Sequence, residues 1–222
     1  MQGSVPAVVA EGIGTFLFFF IAAGAALVAT GDPAATLLVV ALAHGVVLAV
    51  LVSSFGAVSG GHFNPAVTLG LWVAGKIGPA KGAAYLVAQL FGAAAAGFAL
   101  AYFLGDVSGA VPALGEGVDV TEGILLEAIM TTVLLFAVFG TAVDPRGPKI
   151  GGLAIGLAVA VDILLGASLT GAAMNPARWF GLAVAAGDYA NWFVWWIGPF
   201  LGALVVALLY RFLLAPPEEA LG

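Results

Sequence analysis

Six stretches of this chain stay apolar for long enough to cross a lipid bilayer: residues 7–29, 35–56, 82–104, 123–143, 150–169 and 190–213. Charges inside them are few, with Glu11 in the first, Glu127 in the fourth and Asp162 in the fifth. Two shorter apolar segments begin at Asn64-Pro65-Ala66 and Asn175-Pro176-Ala177. Asn is a strong helix N-cap and Pro suits the first helical position, so each tripeptide predicts the start of a helix. After Asn64 the apolar run lasts from Pro65 to Ala74 before Lys76 interrupts it. At ~1.5 Å per residue that covers about half of a ~30 Å hydrocarbon core. The pattern predicts an all-α membrane protein with six spanning helices and two half-helices that begin at asparagines inside the membrane.

The connections separate by charge. Lys76 and Lys81 lie between spans two and three, Arg146 and Lys149 between four and five, and Arg211 at the end of six. Asp32, Asp106, Glu116, Asp119, Glu122 and Asp188 fall on the other side. By the positive-inside rule both termini are expected in the cytoplasm, with the chain multi-pass in the cell membrane. The N-terminus lacks basic residues, so the first apolar run reads as a span and not as a cleaved leader. Among the basic residues only Arg178 breaks the charge pattern, and it directly follows the second Asn-Pro-Ala.

The chain also repeats itself. Glu11-x-x-x-Thr15 matches Glu127-x-x-x-Thr131, Gly45 and Gly156 each precede an Asn-Pro-Ala asparagine by 19 residues, and Ser59-Gly60 matches Thr170-Gly171. These pairs divide a single transmembrane domain, 1–222, into repeats of about 1–108 and 120–222. Three spans per repeat place the halves in opposite orientations, so the half-helix N-termini are expected to meet near the membrane midplane.

Composition narrows the chemistry. The chain is 63% hydrophobic and 8% charged with no cysteine, which suits a bilayer and removes thiol catalysis and disulfides. A net charge of -6 argues against nucleic acid as a partner. Two histidines at unlike positions assemble neither a catalytic group nor a metal cluster, so no enzyme, metal or cofactor is expected. The tail Pro216-Pro217-Glu218-Glu219 carries no partner motif, and a coupled transporter would need titratable groups where the asparagines stand. Non-helical backbone at membrane depth is tolerated only against protein or water. Gly60-Gly61-His62-Phe63 and Gly171-Ala172-Ala173-Met174 are therefore expected to face a wet lumen. The carbonyls of Gly60, Gly61, His62, Phe63, Gly171 and Ala173 would offer acceptors there. Glu11 and Glu127, at matched positions, are expected to accept hydrogen bonds from the turns before the half-helices, because a buried carboxylate needs such partners. Gly152-x-x-x-Gly156 and Gly198-x-x-x-Gly202 would let spans pack closely.

Ser59-Gly-Gly-His-Phe-Asn-Pro-Ala-Val67 with Gly171-x-x-x-Asn-Pro-Ala-Arg178 resembles the aquaporin, or major intrinsic protein, family over nearly the whole chain. The resemblance implies an hourglass pore in each subunit of a homotetramer, conducting water or small neutral solutes. It also implies a narrow ring at His44, Ile163, Ala172 and Arg178. That ring departs from the water-only pattern, with its span-two aromatic and span-five histidine, and looks like the tonoplast subgroup of plants. Some members of that subgroup also pass urea, glycerol, ammonia or hydrogen peroxide. Trp179, where glycerol facilitators have Asp, and Trp195-Trp196 before Pro199 favour water. The residues support a barrier to ions independently: two half-helix N-termini, each with roughly half a positive charge, would oppose cations at the pore centre. With their oxygens held as caps, Asn64 and Asn175 would turn amide donors to the lumen and orient each passing water, interrupting a proton wire. His62 would border the cytoplasmic vestibule, its carbonyl mattering more than its ring.

Overall fold

Asp32 and Asp119 show why the helices start where they do. In the computed structural model, which describes residues 4–216, Asp32 caps Pro33–Ser59 by accepting from the Ala35 N–H. Asp119 and Glu122 bond each other's backbone N–H groups, closing a capping box at the start of Val120–Val138. Eight α-helices follow in order: α1 Ser4–Val28, α2 Pro33–Ser59, α3 Pro65–Val73, α4 Pro79–Leu104, α5 Val120–Val138, α6 Leu153–Thr170, α7 Pro176–Ala186 and α8 Val194–Leu209. A short 3₁₀ turn at Ser108–Ala110 lies in the connection before α5, and π-helical turns extend α5 to Val143 and α8 to Leu214. All regular structure among the described residues is helical. The last residues of the Pro216-Pro217-Glu218-Glu219 tail lie outside them.

Six of these helices, with their π extensions, are long and apolar enough to cross a membrane. The other two, α3 and α7, have nine and 11 residues and reach about half as far at ~1.5 Å per residue. Lipid as solvent inverts the usual surface. Phe91, Phe98 and Phe212 face outward while Glu11, Glu127, Asp162 and Arg178 are buried. Close packing comes from small residues, since lipid gives helices no hydrophobic reason to associate. A Cβ on Gly45 would lie 2.7 Å from the Gly156 carbonyl, and one on Gly198 would lie 2.6 Å from Glu127 Cβ, so α2 meets α6 and α5 meets α8 at backbone distance.

Basic residues of the connections and of the last helix gather at one end. Arg211 donates to the Val73 carbonyl at 2.8 Å, Lys76 sits over the Tyr210 ring, and Arg146 donates to the Leu214 carbonyl at 2.7 Å. Arg146 also grips Asp144 through two side-chain hydrogen bonds, and these hold that carboxyl at about 2. Span ends differ from the sequence expectation by a few residues, most where π turns or bends replace α-helix.

Candidate functional site

Each re-entrant loop is held by a buried carboxylate. Glu11 accepts from Ser59 Oγ at 2.6 Å and the His62 N–H at 2.9 Å on one oxygen, and from the Phe63 N–H at 2.7 Å and Gln89 Nε2 at 2.8 Å on the other. Glu127 accepts from Thr170 Oγ1 at 2.7 Å, the Ala173 N–H at 2.8 Å and the Met174 N–H at 2.6 Å. Buried backbone donors that lie outside any helix thus gain carboxylate acceptors. Tyr85 Oη donates to the Ser59 carbonyl at 2.7 Å and Trp195 Nε1 to the Thr170 carbonyl at 2.9 Å. These hydrogen bonds of Gln89, Tyr85 and Trp195 were not anticipated from the sequence; their partners are distant in the chain.

The asparagines meet. Asn64 Oδ1 accepts from the Ala66 N–H at 2.8 Å and Asn175 Oδ1 from the Ala177 N–H at 3.0 Å, capping α3 and α7. Pro65 and Pro176 occupy the first helical position of each. Asn64 Nδ2 donates to the Met174 carbonyl and Asn175 Nδ2 to the Phe63 carbonyl, both at 2.9 Å. The two half-helices are therefore cross-bonded head to head. One N–H of each amide is spent on this link, and one remains for the lumen, where the sequence suggested the whole NH2 group.

A cavity of about 310 Å³ runs past this junction. Gly60, Gly61, His62, Asn64, Ala173, Asn175, Arg178 and His44 line it, and Lys76 and Lys81 stand at its basic end. Ala66 and Ala177 are fully buried behind the caps. Phe63 and Gly171 do not line the cavity, and their carbonyls already accept from Asn175 and Arg178. Ile163 and Ala172 are fully buried and outside the lining, whereas His44 and Arg178 are within it.

Arg178 Nη1 donates to the Gly171 carbonyl at 2.9 Å and also to that of Ala172, while its Nε has no protein partner. His44 Nδ1 lies 2.8 Å from the Val40 carbonyl. A carbonyl only accepts, so Nδ1 carries hydrogen and the neutral ring keeps an acceptor at Nε2, which also has no partner. Asp162 is buried with Oδ2 unpaired and does not line this cavity.

Comparison with known proteins agrees with this architecture. The family model for the major intrinsic protein matches residues 2–210. The chain is 46% identical to aquaporin TIP4-4 of Zea mays, covering 94% of this chain and 86% of that protein. It is 41% identical to aquaporin TIP2-1 of Arabidopsis thaliana, covering 93% and 86%. Its fold is similar to the X-ray structure of the aquaglyceroporin from Plasmodium falciparum, with a TM-score of 0.76 and 22% identity over 95% of this chain and 96% of that one. Six membrane-length helices, two head-to-head half-helices and these relatives together give one conclusion: the chain belongs to the major intrinsic protein family, as a multi-pass membrane channel and not an enzyme.

Proposed function

We propose that this channel conducts water passively, with some passage of small neutral solutes, and excludes protons and ions. The observation that carries the reading is the reciprocal bond pair between Asn64 and Met174 and between Asn175 and Phe63, set beside a cavity that both asparagines line. Two helix N-termini, each worth roughly half a positive charge, converge where the free amide hydrogens face the lumen. A water there binds through its oxygen and turns its hydrogens to its neighbours, which interrupts proton hopping, and a cation meets like charge. His44 and Arg178 at the cavity wall form the selectivity ring in this reading together with Ile163 and Ala172, which stand outside the lining, and the carbonyls of Gly60, Gly61, His62 and Ala173 complete the path. Stopped-flow light scattering of proteoliposomes tests it. Water permeability well above that of empty vesicles, with a low activation energy, is expected; lipid-like permeability would remove the channel.

A broader solute range is the second reading, favoured by one observation. The cavity holds an unpaired acceptor, His44 Nε2, and an unpaired donor, Arg178 Nε, which suits solutes that both give and accept hydrogen bonds, such as urea or ammonia. Ile163→His would add a polar wall, and urea or glycerol flux should fall more than water flux. An equal loss of both would place the ring elsewhere.

In this proposal the chain is one channel domain of two inverted repeats, about 1–108 and 120–222. It sits in the cell membrane as a homotetramer, with both termini on the cytoplasmic side. The clustering of Lys76, Lys81, Arg146 and Arg211 at one end supports that orientation.

A further inference from the structure

Gln89 and Thr68 belong to no motif described above, yet both are buried beside the first loop. Gln89 Nε2 donates to Glu11 Oε2 at 2.8 Å and to Thr68 Oγ1 at 3.0 Å. A carboxylate oxygen only accepts, so it fixes which end of the amide faces it, and both amide hydrogens are spent. The opposite end, Gln89 Oε1, is left unpartnered as a consequence. Thr68 Oγ1 has then received one hydrogen and must place its own. His62 Nδ1 lies 3.0 Å away and is the remaining partner of that hydroxyl among the described residues. A hydroxyl hydrogen aimed at Nδ1 requires a lone pair there, and a neutral imidazole then carries its hydrogen on Nε2.

We propose that Gln89 and Thr68 are positioning residues that hold His62 in its Nε2–H form, so that the ring offers a hydrogen-bond donor to the lumen on the basic side of the asparagines. The chain has two histidines, and they take opposite tautomers: His62 with hydrogen on Nε2 and His44 with hydrogen on Nδ1. Along the cavity the wall then presents donors at His62, Asn64, Asn175 and Arg178, and an acceptor at His44. A water entering from the basic end, past Lys76 and Lys81, then meets the His62 donor before it reaches the asparagines. The ring of His62 therefore matters for the lumen, where the sequence directed attention to its carbonyl. Groups around His62 leave this arrangement intact: the Glu11 carboxylate from α1 is engaged by four donors, the Tyr85 ring from α4 stands edge-on at 5.1 Å, and Lys81 lies over that same tyrosine. The second loop has no counterpart, because Ala173 stands in place of His62 and Trp179 in place of Thr68.

The consequence for flux rests on the water-channel reading, but the tautomer does not, so the two fail separately. Solid-state NMR of the channel in lipid vesicles, with ¹⁵N-labelled histidine, reads both rings directly. Two neutral rings of opposite tautomer are expected, the His62 pair carrying hydrogen on Nε2. Thr68→Val should turn His62 into a mixture of tautomers while His44 stays unchanged as a reporter of the fold, and Thr68→Ser should restore the original spectrum. Water permeability of Thr68→Val should fall about two- to threefold, in keeping with the loss of one lumen hydrogen bond. His62 protonated on Nδ1 in the unmodified channel would overturn the proposal, as would a His62 spectrum unmoved by Thr68→Val. If Thr68→Val fails to fold, the wild-type spectrum alone decides.

Discussion

The two re-entrant loops reach the same backbone path by different chemistry. Gly60, Gly61 and Phe63 have positive φ of 100°, 65° and 48°, and Gly171, Ala172 and Met174, at the matched positions, have 76°, 45° and 52°. Each loop is tied to a glutamate by one hydroxyl and two backbone N–H groups. Beyond that the halves part. The first is backed by a polar relay through Gln89, Thr68 and His62. The second has Trp179 stacked on Trp195 at 5.8 Å, and Arg178 in place of Val67 binds its own loop carbonyls. The carboxylate sets the path of the chain, and the residues around it are free to set what each half presents to the lumen.

The largest effect tests the shared part. Glu11→Ala and Glu127→Ala each orphan two buried backbone N–H groups, which costs about 2–6 kcal/mol at about 1–3 kcal/mol per group. Both should lower the thermal transition of the purified channel sharply. Glu11→Ala should lower it more, because Gln89 loses its acceptor as well. A wild-type transition in either variant would show that the carboxylate does not hold its loop.

Arg178→Val removes the most visible difference by giving the second loop the residue of the first. The cavity loses a fixed cation and the hydrogen bonds to Gly171 and Ala172. A barrier lowered by about 1.4 kcal/mol would raise urea or glycerol flux roughly tenfold and weaken cation exclusion. Solute flux and conductance in the same reconstituted vesicles check this; an unchanged profile would mean that Arg178 does not filter.

The spans, both half-helices and the matched glutamates were legible because each rests on local composition or on a spacing that survives in the sequence. Asn-Pro-Ala is a capping signal, and 20 apolar residues in a row have few other uses. The cross-bonds were not legible. Asn64 reaches Met174 and Asn175 reaches Phe63 across 110 and 112 residues, and which hydrogen of an amide is spent depends on a juxtaposition no local pattern carries. Gln89 and Thr68 were missed for the same reason, since a single glutamine on an apolar helix gives no sign of what it bonds. Positive φ at Phe63, Ala172 and Met174 was also invisible, because residues with a Cβ carry no signal for the left-handed region.

That last point yields the smallest and sharpest test. Ala172 has φ of 45°, where an L-residue is strained by about 1–2 kcal/mol. Ala172→Gly removes that strain but frees the unfolded chain, which costs about 0.4–1 kcal/mol, and it also deletes a buried methyl. The opposing contributions nearly cancel, so the thermal transition should hardly move. Gly61→Ala makes the reverse exchange in the first loop, where the added Cβ takes the same strain and also sits 3.2 Å from Val52 Cα, with backbone that must give way. This variant should be the less stable of the two by about 1 kcal/mol. Equal transitions for the pair would mean that the loops are interchangeable at this position, and that the glycine of the first reflects nothing about its packing against α2.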